Sequence, residues 1–124
     1  MAIVESSEHF SRDELACRHT DICLMEESFL QKLEAIREEY GKPMRITSAF
    51  RDETHPAQAR KSNPKMGYHT KGRAVDVLIR GTDAVILLEI ALKHGMRGIG
   101  INQKGGSGRF LHFDDRDEYM IWSY

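Results

Sequence analysis

"GYHTKGRAVDVLIR", residues 67–80, decides the reading of this chain. It sets His69 and Asp76 seven positions apart on either side of Gly72, then runs into branched apolar residues. Alternate side chains of an extended segment point to opposite faces, so Val75, Val77 and Ile79 share one face, and Asp76 shares the other with Ala74 and Leu78. A buried aspartate without a cation or donor is costly. The stretch therefore predicts a strand with a core on one side and a polar site on the other, entered by a turn for which Gly67 and Gly72 supply backbone freedom.

A second segment, "RFLHFDD" at residues 109–115, repeats the pattern. Leu111 and Phe113 share one face, and Phe110, His112 and Asp114 the other. His69, from the loop entering the first strand, can fold over the same face. Two imidazoles and one carboxylate give the three-ligand, open-position set of a catalytic zinc ion. Such an ion makes a water nucleophilic near neutral pH and polarises a substrate carbonyl. By spacing alone, the same side chains also read as surface or structural hydrogen-bonding residues.

The flanking segments fill in an α+β domain. In "SRDEL", Ser11 and Glu14 form a capping-box pattern that opens a short helix. In "MEESFLQKLEAIREEYGKP", Phe29, Leu33, Ile36 and Tyr40 recur at helical spacing until Gly41 and Pro43 stop the helix. "MRITSAF" alternates as a strand, with Met44, Ile46, Ser48 and Phe50 on one side; if the strand persists, Arg51 shares the face of Thr47 and Arg45. Asp52 to Lys65 reads as a polar loop with one helical turn at "PAQAR". "GTDAVILLEIALKHG" predicts a second helix from near Thr82 to Gly95, buried nearly all round, and "KGGSG" joins two strands as a hairpin. "YMIWSY" adds a further strand or a packed tail. The expected fold is a mainly antiparallel sheet with helices on one face and the zinc cleft on the other.

Composition excludes several partners. The chain has 124 residues, 40% hydrophobic and 30% charged, with a formal net charge of -1. That suits one domain over residues 1–124, and without a basic patch it argues against nucleic-acid or anionic-membrane binding. No apolar run approaches the roughly 20 residues that span a bilayer, and "MAIVESSEHF" lacks a secretory pattern, so the expected product is a soluble cytoplasmic chain, monomeric by default. Cys17 and Cys23 read as reduced thiols; with His19 they fall one ligand short of a closed zinc site.

"YHTKGRAVDV" resembles the His-x-x-Gly-x-Ala-x-Asp signature of the LAS metallopeptidases, which include lysostaphin-type enzymes, zinc D-alanyl-D-alanine carboxypeptidases and the related hedgehog signalling domain. "ITSAFR" is similar to the Ser-x-x-Arg segment of the carboxypeptidase branch, "GIGI" with "FLHFDDR" to its closing segment, and "HFSRDELAC" to the opening of small peptidoglycan-peptidase domains. The resemblance spans nearly the whole chain in the same order. It implies His69, Asp76 and His112 as zinc ligands, and Arg51 as the group that binds a substrate carboxylate or stabilises the oxyanion. The implied substrate is a peptidoglycan stem peptide or cross-link, cut as by a D-Ala-D-Ala carboxypeptidase or an L-Ala-D-Glu endopeptidase. The implied setting is a bacteriophage or prophage lysis enzyme that reaches the wall after release or in the virion. The alternatives are a non-catalytic peptide- or wall-binding domain with structural zinc, and a phage tail component.

The chain departs from that pattern in two places. Gly67 stands where many relatives have serine, and Arg109 and Phe110 occupy the positions of the usual catalytic base. Asp114, on the face of His112, is the candidate base or the holder of an imidazole tautomer. His55 and Tyr68 are further candidates.

Overall fold

The computed structural model describes residues 2–61 and 67–124. Strands β1 (Ile3–Val4) and β2 (Met25–Glu26) pair as a small separate ribbon. The main sheet takes β3 (Arg45–Ser48), β4 (Ala74–Leu78), β5 (Gly98–Asn102), β6 (Phe110–Asp114) and β7 (Met120–Ser123) in the order β3-β4-β6-β5-β7. Every neighbouring pair is antiparallel except β5 and β7, which run parallel.

The helices are α1 (Arg12–Leu15), α2 (Glu27–Tyr40), α3 (Pro56–Ala59) and α4 (Gly81–Lys93). Ser11 caps α1 in the expected reciprocal box with Glu14. Gly41, at φ 74°, ends α2 in the left-handed conformation and returns its N–H to Arg37 O at 3.0 Å, a geometry that costs glycine little. The stripe of α2 (Phe29, Leu33, Ile36) meets Leu87 and Ala91 of α4 and the sheet residues Val75, Val77, Leu111 and Phe113 in one buried cluster. The expected α+β arrangement holds, and the α3 turn falls inside "PAQAR". The end of the predicted polar loop, residues 62–65, lies outside the described residues, as does residue 66.

Two expectations need correction. The first concerns β3. Ile46 pairs with Val77 but Ser48 pairs with Asp76, so the register slips around Thr47. A bulge places two residues against one and reverses the parity beyond it; Ser48 therefore sits on the face of Asp76, not that of Ile46. The strand stops there, and Arg51 reaches the same face from the following turn, with its N–H bonded to His69 O at 3.2 Å. The second concerns α4. Ala84, Leu87 and Ala91 are buried, but Val85 and Leu92 remain 64% and 40% exposed, because none of the described residues covers the helix opposite the sheet and α2. The reading of the Cys17 segment as reduced thiols holds. Both cysteines are free and buried, and among the described residues neither they nor His19 belong to a group spaced to hold a metal.

Candidate metal centre

On the face away from the helices, β4 and β6 bring Asp76 directly opposite His112. His69 arrives from the turn before β4. That turn closes through Gly72, at φ 71°, whose N–H donates to His69 O at 3.2 Å and where a Cβ would overlap the backbone of Leu24 and Met25. The result is a buried triad of His69, Asp76 and His112 whose ligand atoms all lie within 4.8 Å of one another.

Both imidazoles aim at one oxygen. Asp76 Oδ1 lies 3.4 Å from His69 Nε2 and 3.1 Å from His112 Nδ1. Two ligand atoms each about 2.0–2.1 Å from a tetrahedral zinc stand roughly 3.3 Å apart, so the donor set and its spacing fit zinc. The other carboxylate oxygen, Asp76 Oδ2, accepts from Arg51 Nη2 at 3.1 Å, while Arg51 Nε donates to Ser48 Oγ at 3.0 Å.

The outer nitrogen of each ring is also held. His69 Nδ1 donates to the carbonyl of Ala49 at 2.7 Å. His112 Nε2 lies 2.6 Å from Asp114 Oδ2. A carbonyl and a carboxylate only accept, so each ring carries its proton on the outer nitrogen and keeps the inner lone pair for a metal.

Asp114 is wholly buried and held on three sides. Arg116 donates from Nε to Oδ1 at 2.8 Å, from Nη2 to Oδ2 at 2.7 Å and from its backbone N–H to Oδ1 at 3.2 Å. Gly98 stands opposite on β5, where a Cβ would collide with the Asp114 carboxyl. The Arg116 guanidinium is sandwiched between the rings of Tyr68, at 4.7 Å, and Trp122, at 5.0 Å. The Trp122 ring in turn rests 5.0 Å from that of His112.

Charge balance follows from these contacts. Burial opposes the ionisation of Asp76, but bonds from His112 and His69 hold its carboxyl well below the usual range. Burial likewise opposes Asp114, and Arg116 and His112 hold it low. Burial pushes His69 down. It also works against protonated His112, yet Asp114 and Asp76 together raise that group above the ordinary imidazole value. Without metal, a proton on His112 Nδ1 satisfies Asp76; a bound cation takes its place.

The triad lies in a cleft of about 450 Å³ whose wall includes the cations Arg51, Lys61 and Arg116 and the aromatic rings of Tyr68, Phe110, Trp122 and Tyr124. Of the sequence candidates, His69, Asp76, His112, Arg51, Asp114 and Tyr68 meet here. His55 instead caps α3, its Nδ1 accepting from Ala57 N–H at 3.0 Å. Arg109 turns away to Gly105 O, and Asp115 faces Arg73 and Lys32. Sequence reasoning missed Arg116, Trp122 and the glycines of β5. The signal for the last was present: Gly98 and Gly100 alternate along one strand, opposite Asp114 and His112, and glycine in a strand marks close approach from a neighbour.

A buried His–Asp–His triad with oriented outer nitrogens on this mixed sheet defines a zinc metallopeptidase site. The family model of peptidase M15 matches residues 8–114, and the chain belongs to that family. No curated protein matches the chain. Family and metal site together support a zinc-dependent peptidoglycan peptidase.

Proposed function

We propose that the protein hydrolyses an amide bond next to a D-amino acid in peptidoglycan stem peptides or cross-links, as a D-Ala-D-Ala carboxypeptidase or an L-Ala-D-Glu endopeptidase. The observation that carries this is the zinc-spaced triad at the base of a cleft whose wall bears Arg51, Lys61 and Arg116. A cleft of this size takes a few residues of peptide, and Arg51 and Lys61 favour a substrate that carries carboxylates, Arg116 being paired with Asp114. Stem peptides carry them.

Zinc held by His69, Asp76 and His112 supplies an activated water and a polarised carbonyl. The chain's own residues do the rest. Arg51 offers its remaining donors to a substrate carboxylate or to the developing oxyanion, while its bond to Asp76 Oδ2 fixes its position. Asp114 holds His112 in the tautomer that binds metal, which its contacts with His112, Arg116 and Gly98 support better than release toward the cleft as a free base. Tyr68, Trp122 and Tyr124 form an aromatic wall that limits water. We place the activity in a bacteriophage or prophage lysis enzyme, made in the cytoplasm and acting on the wall after release.

Mass spectrometry of purified peptidoglycan digested with the zinc-loaded protein tests the proposal. Chelator-sensitive release of D-alanine or of new amino termini is expected, and the products name the bond. The second reading, a binding domain with structural zinc, draws on Arg109 and Phe110 at the usual base positions. Stoichiometric zinc with no product from any peptidoglycan type would establish that reading instead.

A further inference from the structure

The exposed apolar side chains are concentrated. Of the ten large hydrophobics exposed among the described residues, seven belong to α4 or to the segment 119–124; Met120 and Tyr124 turn with Trp122 to the cleft side, and Val85, Ile86, Leu92, Tyr119 and Ile121 remain. Tyr119, Ile121, Val85 and Leu92 are exposed by 73%, 69%, 64% and 40%. Leu88, Leu92, Ile99, Tyr119 and Ile121 together border an apolar hollow of about 260 Å³. Ile121 pairs with the core residue Ile99 and so projects from the helix side of the sheet, which makes strand and helix one continuous surface.

Among the described residues β7 is also an outer strand with one unpaired edge. The amides of Met120 and Tyr124 donate inward to Arg97 O and Ile101 O, so by the two-residue period those of Ile121 and Ser123 point outward. Proteins guard such edges with charges, prolines or bulges. The opposite edge, β3, has its bulge and the exposed Arg45. "MIWS" has neither.

We infer that this face binds a second copy of the chain, β7 against β7, antiparallel about a two-fold axis at Ile121. Charge favours a copy over another partner. Asp117 and Glu118 precede the strand, and Lys104 stands at its far end with Nζ 3.4 Å from Tyr124 O. An antiparallel two-fold brings each acidic pair toward the partner's Lys104, and it sets Tyr119 against the partner's Ser123. An edge-to-edge contact of this kind belongs at the small end of specific interfaces, about 1,000 Å² in total. The joined sheets brace the strand that holds Trp122 against His112.

Sedimentation of the zinc-loaded chain over about 1 to 300 μM tests this, a range suited to an interface of that size. The mass is expected to rise from the single-chain 14.2 kDa toward twice that value, and Ile121→Lys is expected to stay single while keeping its zinc. Ile121→Cys should form a disulfide-linked pair on mild oxidation, since both native thiols are buried; Ile22→Cys, exposed elsewhere, should not. A wild-type chain that stays single throughout, or an Ile121→Lys chain that pairs as the wild type does, overturns the inference. If Ile121→Lys fails to fold, absence of linkage at Ile121→Cys overturns it.

Discussion

Replacing Asp114 by asparagine changes one atom and leaves no good arrangement of hydrogen bonds. Asp114 Oδ1 accepts from two Arg116 donors, and Oδ2 faces both His112 Nε2 and Arg116 Nη2. If the amide oxygen of Asn takes the Oδ1 place, its NH₂ meets His112 Nε2 as a donor. The imidazole must then accept there and carry its proton on Nδ1, where the metal binds. If the amide flips, its NH₂ meets two donors of Arg116. Either way the 2.6 Å bond to His112 is lost as a charge-assisted contact, worth about 1.5–3 kcal/mol. That corresponds to a roughly 10–100-fold weaker zinc affinity, the range seen when such supporting groups are removed. Competition with a chromophoric chelator measures it. If Asp114→Asn binds zinc as the wild type does while turnover collapses, Asp114 is the base and the holding role is refuted; if neither changes, it has neither role.

Four further outcomes follow from the same geometry. Gly98→Ala removes no polar group but drives a Cβ into the Asp114 carboxyl, so zinc affinity should fall together with thermal stability; wild-type values for both would refute the close packing. Arg51→Gln should retain most zinc, yet lower kcat/KM on a D-Ala-terminated peptide about 10²–10³-fold, as loss of one oxyanion donor does; a change within twofold removes Arg51 from the reaction. Zinc affinity should rise with pH, about tenfold per unit while His112 still carries its extra proton. The sign follows because the metal needs the neutral ring and the metal-free site holds that proton above the ordinary imidazole value; affinity flat from pH 6 to 8 contradicts the assignment. The metal-free protein should lose stability on acidification once Asp76 and Asp114 begin to protonate. Both are held below the usual carboxylate range when folded, so their contribution is present above the unfolded value and lost as pH falls through the folded one. Thermal melts from pH 7 down to 2 would show this.

The core of the site was legible because strand parity is a strict rule. Asp76 among valines and His112 between Leu111 and Phe113 could face only away from the helices, and pairing set them opposite each other. His69 depended on a turn that residue types alone leave open, and the resemblance supplied it. Parity failed at Ser48, where the bulge at Thr47 inserted a residue that no alternation count reveals. The exposed flank of α4 was misread because an apolar sequence records what a face prefers, whereas its burial depends on whether another layer arrives. Arg116 was invisible for a related reason. It acts from just beyond β6, and its role depends on Tyr68, which lies far from it in sequence, and on Trp122, which the turn into β7 folds back over it.

The whole account rests on one cation held between His69, Asp76 and His112. Metal analysis of the purified protein, alongside Asp76→Ala and His112→Ala, tests it most directly. The account predicts one tightly held zinc per wild-type chain and its loss from both variants. A wild-type chain that stays free of metal after incubation with zinc, or variants that keep it, would contradict the account.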